Sequence, residues 1–286
     1  MEKVFEKNKK LMPITAVVLA VLSSQLLLIP ENAVTSTIPK VILATITRSV
    51  LSAVLVIITP RLYRVKIGFG KKGLVKGIFW FGLALCIACA GNLIGGYQKP
   101  EISFIQALPM IMLFLVSNMG VGLFEETVFR GLLFGVFRKY FGDNRKGIYT
   151  SVLLSALLFG CIHLENLLVY PNLVISTTAQ VIYAFFAGVL FAVIYYRTEN
   201  LLPCIILHGV FDFCGFFWFS FSEDIDKILE SSNQTDSDIL SAFIFIALFS
   251  VYLISGLWQL RGIFRKQQEA ETESSGMKEY IEGLDK

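Results

Sequence analysis

A chain of 286 residues that is 55% hydrophobic and 16% charged, with a mean hydropathy of +0.67, carries more apolar surface than one soluble core can hide, and reads as an integral membrane protein. Its net charge of +3 is too small to point to nucleic acid. The basic residues gather in loops, where an anionic bilayer surface is partner enough.

The first predicted element, 11–30, follows MEKVFEKNKK. It is too long for the apolar core of a signal peptide and reads as an uncleaved spanning helix. Further apolar segments of spanning length lie at 41–59, 77–98, 102–137, 147–164, 173–196, 201–221 and 239–260. The five cysteines (Cys86, Cys89, Cys161, Cys204 and Cys214) all fall in these segments and read as small packing residues. Segment 102–137 has the length for one bent pass or two short ones.

Charge decides between them. Lys3, Lys7, Lys9 and Lys10 precede the first segment, and Arg61, Arg64, Lys66, Lys71, Lys72 and Lys76 follow the second. Arg138, Lys139, Arg145 and Lys146 follow the fourth, whereas the alternate loops hold at most one basic residue each (Lys40, Lys99, Lys227). The rich loops are cytoplasmic by the positive-inside rule. An even number of crossings must separate them, so 102–137 crosses once. The predicted architecture is all-α and polytopic: eight transmembrane helices around a buried polar site over 1–266, with a motif-bearing core at about 103–220 and both termini cytoplasmic. Residues 267–286 read as a polar, mobile cytoplasmic tail. The loop 222–238, SEDIDKILESSNQTDSD, is acidic and external, and its Asn233-Gln234-Thr235 matches a glycosylation acceptor at no more than chance level. No internal repeat supports a transporter built from duplicated halves.

The fourth segment holds charges where lipid should be. GLFEETVFRG, residues 122–131, carries Glu125, Glu126 and Arg130. Each charge at the centre of a span costs about 2.5–3.5 kcal/mol on insertion scales. Glu126 and Arg130, spaced i, i+4, can pair along the helix as a purely structural device. Glu125 is left over, since its i+4 residue is Phe129.

The two histidines of the chain, His163 and His208, also fall in predicted spans. FGCIH sets Phe159 one turn before His163, and HGVFD sets His208 and Asp212 on one helix face. A single polar pocket would give every one of these groups a partner. Such a pocket suits hydrolysis, with a glutamate as general base for water and histidine to relay a proton or to donate to an oxyanion. No GxSxG motif offers a serine nucleophile. Two histidines and a carboxylate match a hydrolytic zinc set by residue type, although the HExxH helix is absent. A proton-coupled membrane carrier would use the same residue types.

EETVFR, FGCIH and HGVFD, in that order on hydrophobic helices, resemble the three motifs of the CPBP family. That family groups the type II CAAX prenyl endopeptidases with bacteriocin-processing and immunity proteins. The resemblance implies an intramembrane endopeptidase acting on a membrane-associated peptide or protein substrate. By the same resemblance Glu125 is the base that activates water, and His163 shares in orienting or deprotonating it. His208 and Asp212 bind the tetrahedral oxyanion, while Glu126 and Arg130 hold the site in shape. A glutamate-dependent mechanism without a cofactor is the favoured expectation, with zinc as the alternative. Where the CAAX endopeptidases carry Asn, this chain has Asp212. An ionised carboxylate would repel an oxyanion, so its expected role is to orient and charge His208. A non-catalytic scaffold or immunity member of the family is the other reading, against which the completeness of the motifs weighs.

Overall fold

The computed structural model of the chain describes residues 9–33, 37–226 and 236–284. The Asn233-Gln234-Thr235 sequence lies outside them. Among the described residues every regular element is helical, as expected for apolar runs that must satisfy their backbone within the bilayer. We number the helices α1 (Met12–Ala33), α2 (Thr37–Tyr63), α3 (Leu74–Phe81), α4 (Leu83–Gly95), α5 (Phe104–Phe141), α6 (Arg145–Val169), α7 (Val174–Thr198), α8 (Leu202–Phe221) and α9 (Ile239–Leu284).

Six of these, α2 and α5 to α9, are long and apolar enough to cross a membrane. A seventh span results if α3 and α4, bent by 66° at Gly82, count as one. The first predicted segment coincides with a shorter apolar helix at Met12–Leu27. By length and composition the described residues therefore hold six to seven spans, against the eight read from the sequence. The stretch expected to cross once does form a single helical element, the 38-residue α5. It starts at a capping box, where the Gln106 side chain accepts the Ser103 amide at 3.0 Å. Arg138 and Lys139 stand in its last turn before the break at Gly142. The polar tail continues α9 as helix to Leu284.

α7 is the most enclosed span, packed between α6 and α9, and its run Val189–Ile194 is 0–3% exposed. On the other side α8 packs on α5, and α2 packs on α5 as well. One apolar cluster joins α6, α7, α8 and α9, and a second joins α1, α2 and α5 to Phe159 and Ala184. All five cysteines are unbridged, in keeping with packing roles. At one end of the bundle Asp236 receives the amides of Ile175 and Ser176 at 2.7 and 2.8 Å and so caps α7. Desolvation opposes its charge, but these bonds and the Ser176 hydroxyl prevail and hold the Asp236 carboxyl down to about 2.

Candidate active site

α5 and α8 touch backbone to backbone, and two glycines allow it. A Cβ on Gly122 would stand 2.7 Å from the Ile205 carbonyl oxygen and 2.9 Å from the Gly209 nitrogen. One on Gly209 would stand 2.9 Å from Met119 Cα. This crossing sets His208 directly against the glutamate pair of α5. Just beyond the pair, Thr127–Phe134 runs as a π-helix, a form that recurs at functional sites.

Glu126 is 0% and Arg130 1% exposed. Arg130 Nη1 donates to Glu126 Oε1 at 3.0 Å, which is the i, i+4 pair expected from the sequence. The guanidinium lies 4.3 Å from the Phe159 ring centre and 5.1 Å from that of Phe191, and Nη2 reaches the Gly188 carbonyl at 3.4 Å. It is boxed in on every side by these partners.

His208 Nδ1 meets the same Glu126 Oε1 at 2.7 Å. With that carboxylate already paired to Arg130, Nδ1 is the protonated nitrogen and donates. Nε2 consequently faces the other way, 3.6 Å from Glu125 Oε2 and 3.4 Å from Asp212 Oδ2. Phe191 stacks on the imidazole with ring centres 5.3 Å apart and planes 17° from parallel, so the ring cannot turn freely. Glu125 and Asp212 are the open side of the cluster, with side chains 22% and 26% exposed.

Five of the six expected residues, Glu125, Glu126, Arg130, His208 and Asp212, thus form one connected group. His163 stands one aromatic ring away, within α6 where it tightens into a 3-10 turn at His163–Glu165. Phe159 lies edge-on to both histidines, with centroids 5.5 Å from His163 and 5.8 Å from His208. Among the described residues no three His, Cys, Asp or Glu side chains converge as a metal ion would require.

Residues 107–214 match the family model described as type II CAAX prenyl endopeptidase Rce1-like. Over that stretch the chain is similar to the Rce1-like family. No curated protein matches the chain, and neither does any solved structure. This match agrees with the CPBP resemblance of the motifs and supports, in general terms, a CAAX-protease type of function inside the membrane. All six motif residues lie within it.

One contributor lies outside the matched stretch and was missed in the sequence. Arg48 of α2 interacts electrostatically with both Glu125 and Asp212. Its signal was an arginine standing alone midway along an apolar span, a position that calls for a partner.

Proposed function

We propose that this protein is an intramembrane endopeptidase in which Glu125 activates water against the peptide bond of a membrane-embedded or membrane-presented substrate. The observation that carries this reading is the polarity of His208. Its Nδ1 is committed to the closed Glu126–Arg130 pair, which leaves Nε2 beside the two accessible carboxylates.

In this reading Glu125 takes a proton from water as the water oxygen attacks the scissile carbonyl carbon. The developing oxyanion is held by Nε2–H of the His208 imidazolium, oriented and charged by Asp212. The proton held by Glu125 passes to the leaving nitrogen as the C–N bond breaks, releasing an amine and a carboxylic acid, whose proton is then lost to the amine or to water. His163 helps orient the water, and Glu126 with Arg130 keeps the imidazole from rotating. The residues alone supply base, oxyanion donor and proton carrier, so no cofactor enters the sequence of steps.

The test is cleavage of a fluorogenic peptide panel by the purified protein, wild type against Glu125→Gln, with and without a chelator. The expected result is chelator-resistant cleavage that falls by about 10²–10⁴-fold in the variant, the usual range for a general base. Cleavage that a chelator abolishes and zinc restores would overturn the metal-free mechanism. Cleavage that survives Glu125→Gln would remove Glu125 from its role.

A further inference from the structure

Arg48 lies well inside the Ile38–Tyr63 span, whose most apolar 18-residue stretch has a mean hydropathy of 2.3. It points inward. The buried stripe of α2 is formed by Ala44 (6% exposed), Ser52 (1%), Leu55 (1%) and Thr59 (0%), and Arg48 occupies the place in that stripe between Ala44 and Ser52. The neighbouring contact with α5 is close: a Cβ on Gly120 would stand 3.2 Å from Thr45 Cγ2, one turn before Arg48. Ser52 Oγ donates to the Arg48 carbonyl at 2.6 Å, which fixes the helix at this level. The Arg48 side chain is half-buried, and it interacts electrostatically with Glu125 and Asp212.

Arg48 and Arg130 divide the site between them. Arg130 serves the enclosed carboxylate, Glu126. Arg48 serves the two on the open side. Among the described residues, the other cations paired with the three carboxylates Glu125, Glu126 and Asp212 are Arg130 and His208. With Arg48, and with His208 as the imidazolium, the charges cancel. An uncancelled charge in the bilayer interior is costly, and a free negative charge beside Nε2 would also oppose an oxyanion bound there.

We infer that Arg48 is a positioning residue of this site: its permanent charge balances Glu125 and Asp212 from the α2 side, so that both can stand beside His208. The catalytic part of this inference rests on the endopeptidase reading, whereas the charge balance does not.

The experiment is a double-mutant cycle on the full-length protein in detergent, using Arg48→Gln, Asp212→Asn and the pair together. Two quantities are read, the thermal unfolding midpoint and peptide cleavage. Arg48→Gln is expected to lower the midpoint by about 5 °C, a shift within reach of one lost ion-pair partner, and the added Asp212→Asn is expected to recover half of the loss or more. Cleavage by Arg48→Gln is expected to fall by tenfold or more in kcat with KM little changed. Arg48→Lys is expected to keep most of the activity, and the double variant to exceed Arg48→Gln alone.

Additive midpoints overturn the charge balance, because an arginine that merely fills space has no reason to couple to Asp212. A raised KM with unchanged kcat would overturn the positioning role in favour of direct contact with substrate. If Arg48→Gln does not fold, the same cycle is run with Arg48→Met in its place, which removes the charge and keeps the aliphatic bulk. If the wild type cleaves no peptide, the endopeptidase reading fails while the midpoints still decide the pairing. If Glu125→Gln is inactive but the Arg48 variants behave as wild type, this inference alone falls.

Discussion

The Glu126–Arg130 pair shows how much of the site is built before any substrate arrives. Both groups are almost wholly enclosed, and Glu126 Oε1 has two donors, from Arg130 and from His208. Removing one member of such a pair strands the other. Arg130→Met is therefore expected to destabilise the protein by about 3–5 kcal/mol, the range for breaking a buried ion pair from one side. Glu126→Leu combined with Arg130→Met removes both charges and is expected to regain much of that stability, since buried pairs are weak net stabilisers. It is not expected to regain activity, because His208 Nδ1 has then lost its anchor. Thermal unfolding and turnover of the two variants separate these effects; parallel recovery of both would mean that the pair does not orient His208. At this scale the sequence was legible wherever contacts were local. Glu126–Arg130 and His208–Asp212 are both i, i+4 pairs, and they close at 3.0 and 3.4 Å. The partners of Glu125 were not legible, because one comes from α8 and the other from α2, and spacing along one helix says nothing about either.

Between elements, the decisive feature is the α5–α8 crossing. Its glycines were visible in the sequence, in GVGLFEE and LHGVFD, but without neighbours they could not be told from other glycines in spans. The π-helical turn after Glu126 was equally invisible, since a stretch that is apolar on nearly every face has no stripe whose phase the extra residue could shift. Gly122→Ala or Gly209→Ala drives a methyl into the partner backbone at under 3 Å. Overpacking of this kind costs about 1–3 kcal/mol. The activity loss is expected to exceed what stability explains, at about 10²-fold for a displacement of roughly 1 Å at the reacting groups. Gly262→Ala on α9 is the control, because nothing stands within 4 Å of its Cβ. It is expected to be neutral or slightly stabilising. Equal behaviour of all three variants in unfolding and cleavage assays would remove the crossing from the account of the site.

At the scale of the whole molecule, charge segregates along the bundle. At one end Lys139 Nζ donates to the Tyr63 carbonyl at 2.9 Å, Arg138 pairs with Asp143 and Glu199, and Asn200 binds the carbonyls of Gly70 and Lys72. The basic loops 61–76 and 138–146 therefore share one face, as their charge alone had suggested. At the other end Glu101 holds Ser222 and Glu223, and Asp236 caps α7. α9 leaves the acidic end at Ile239 and passes α7 at Gly256, whose added Cβ would stand 3.2 Å from Leu190 Cα. It reaches the basic end where Phe264 stacks on Tyr149. The count of spans was less legible than this polarity, because a helix broken at Gly82 and a short first helix blur what counts as a crossing. The polarity makes a prediction independent of the count. Under the positive-inside rule the basic end is cytoplasmic, so a fluorescent protein fused after Lys286 is expected to fluoresce and an alkaline phosphatase fused there to be inactive. Phosphatase fused after Glu223, at the acidic end, is expected to be active. The reverse pattern would turn the bundle over and put the open Glu125–Asp212 side within reach of substrates from the opposite compartment. That would leave the chemistry of the site unchanged but replace the class of substrate it could meet.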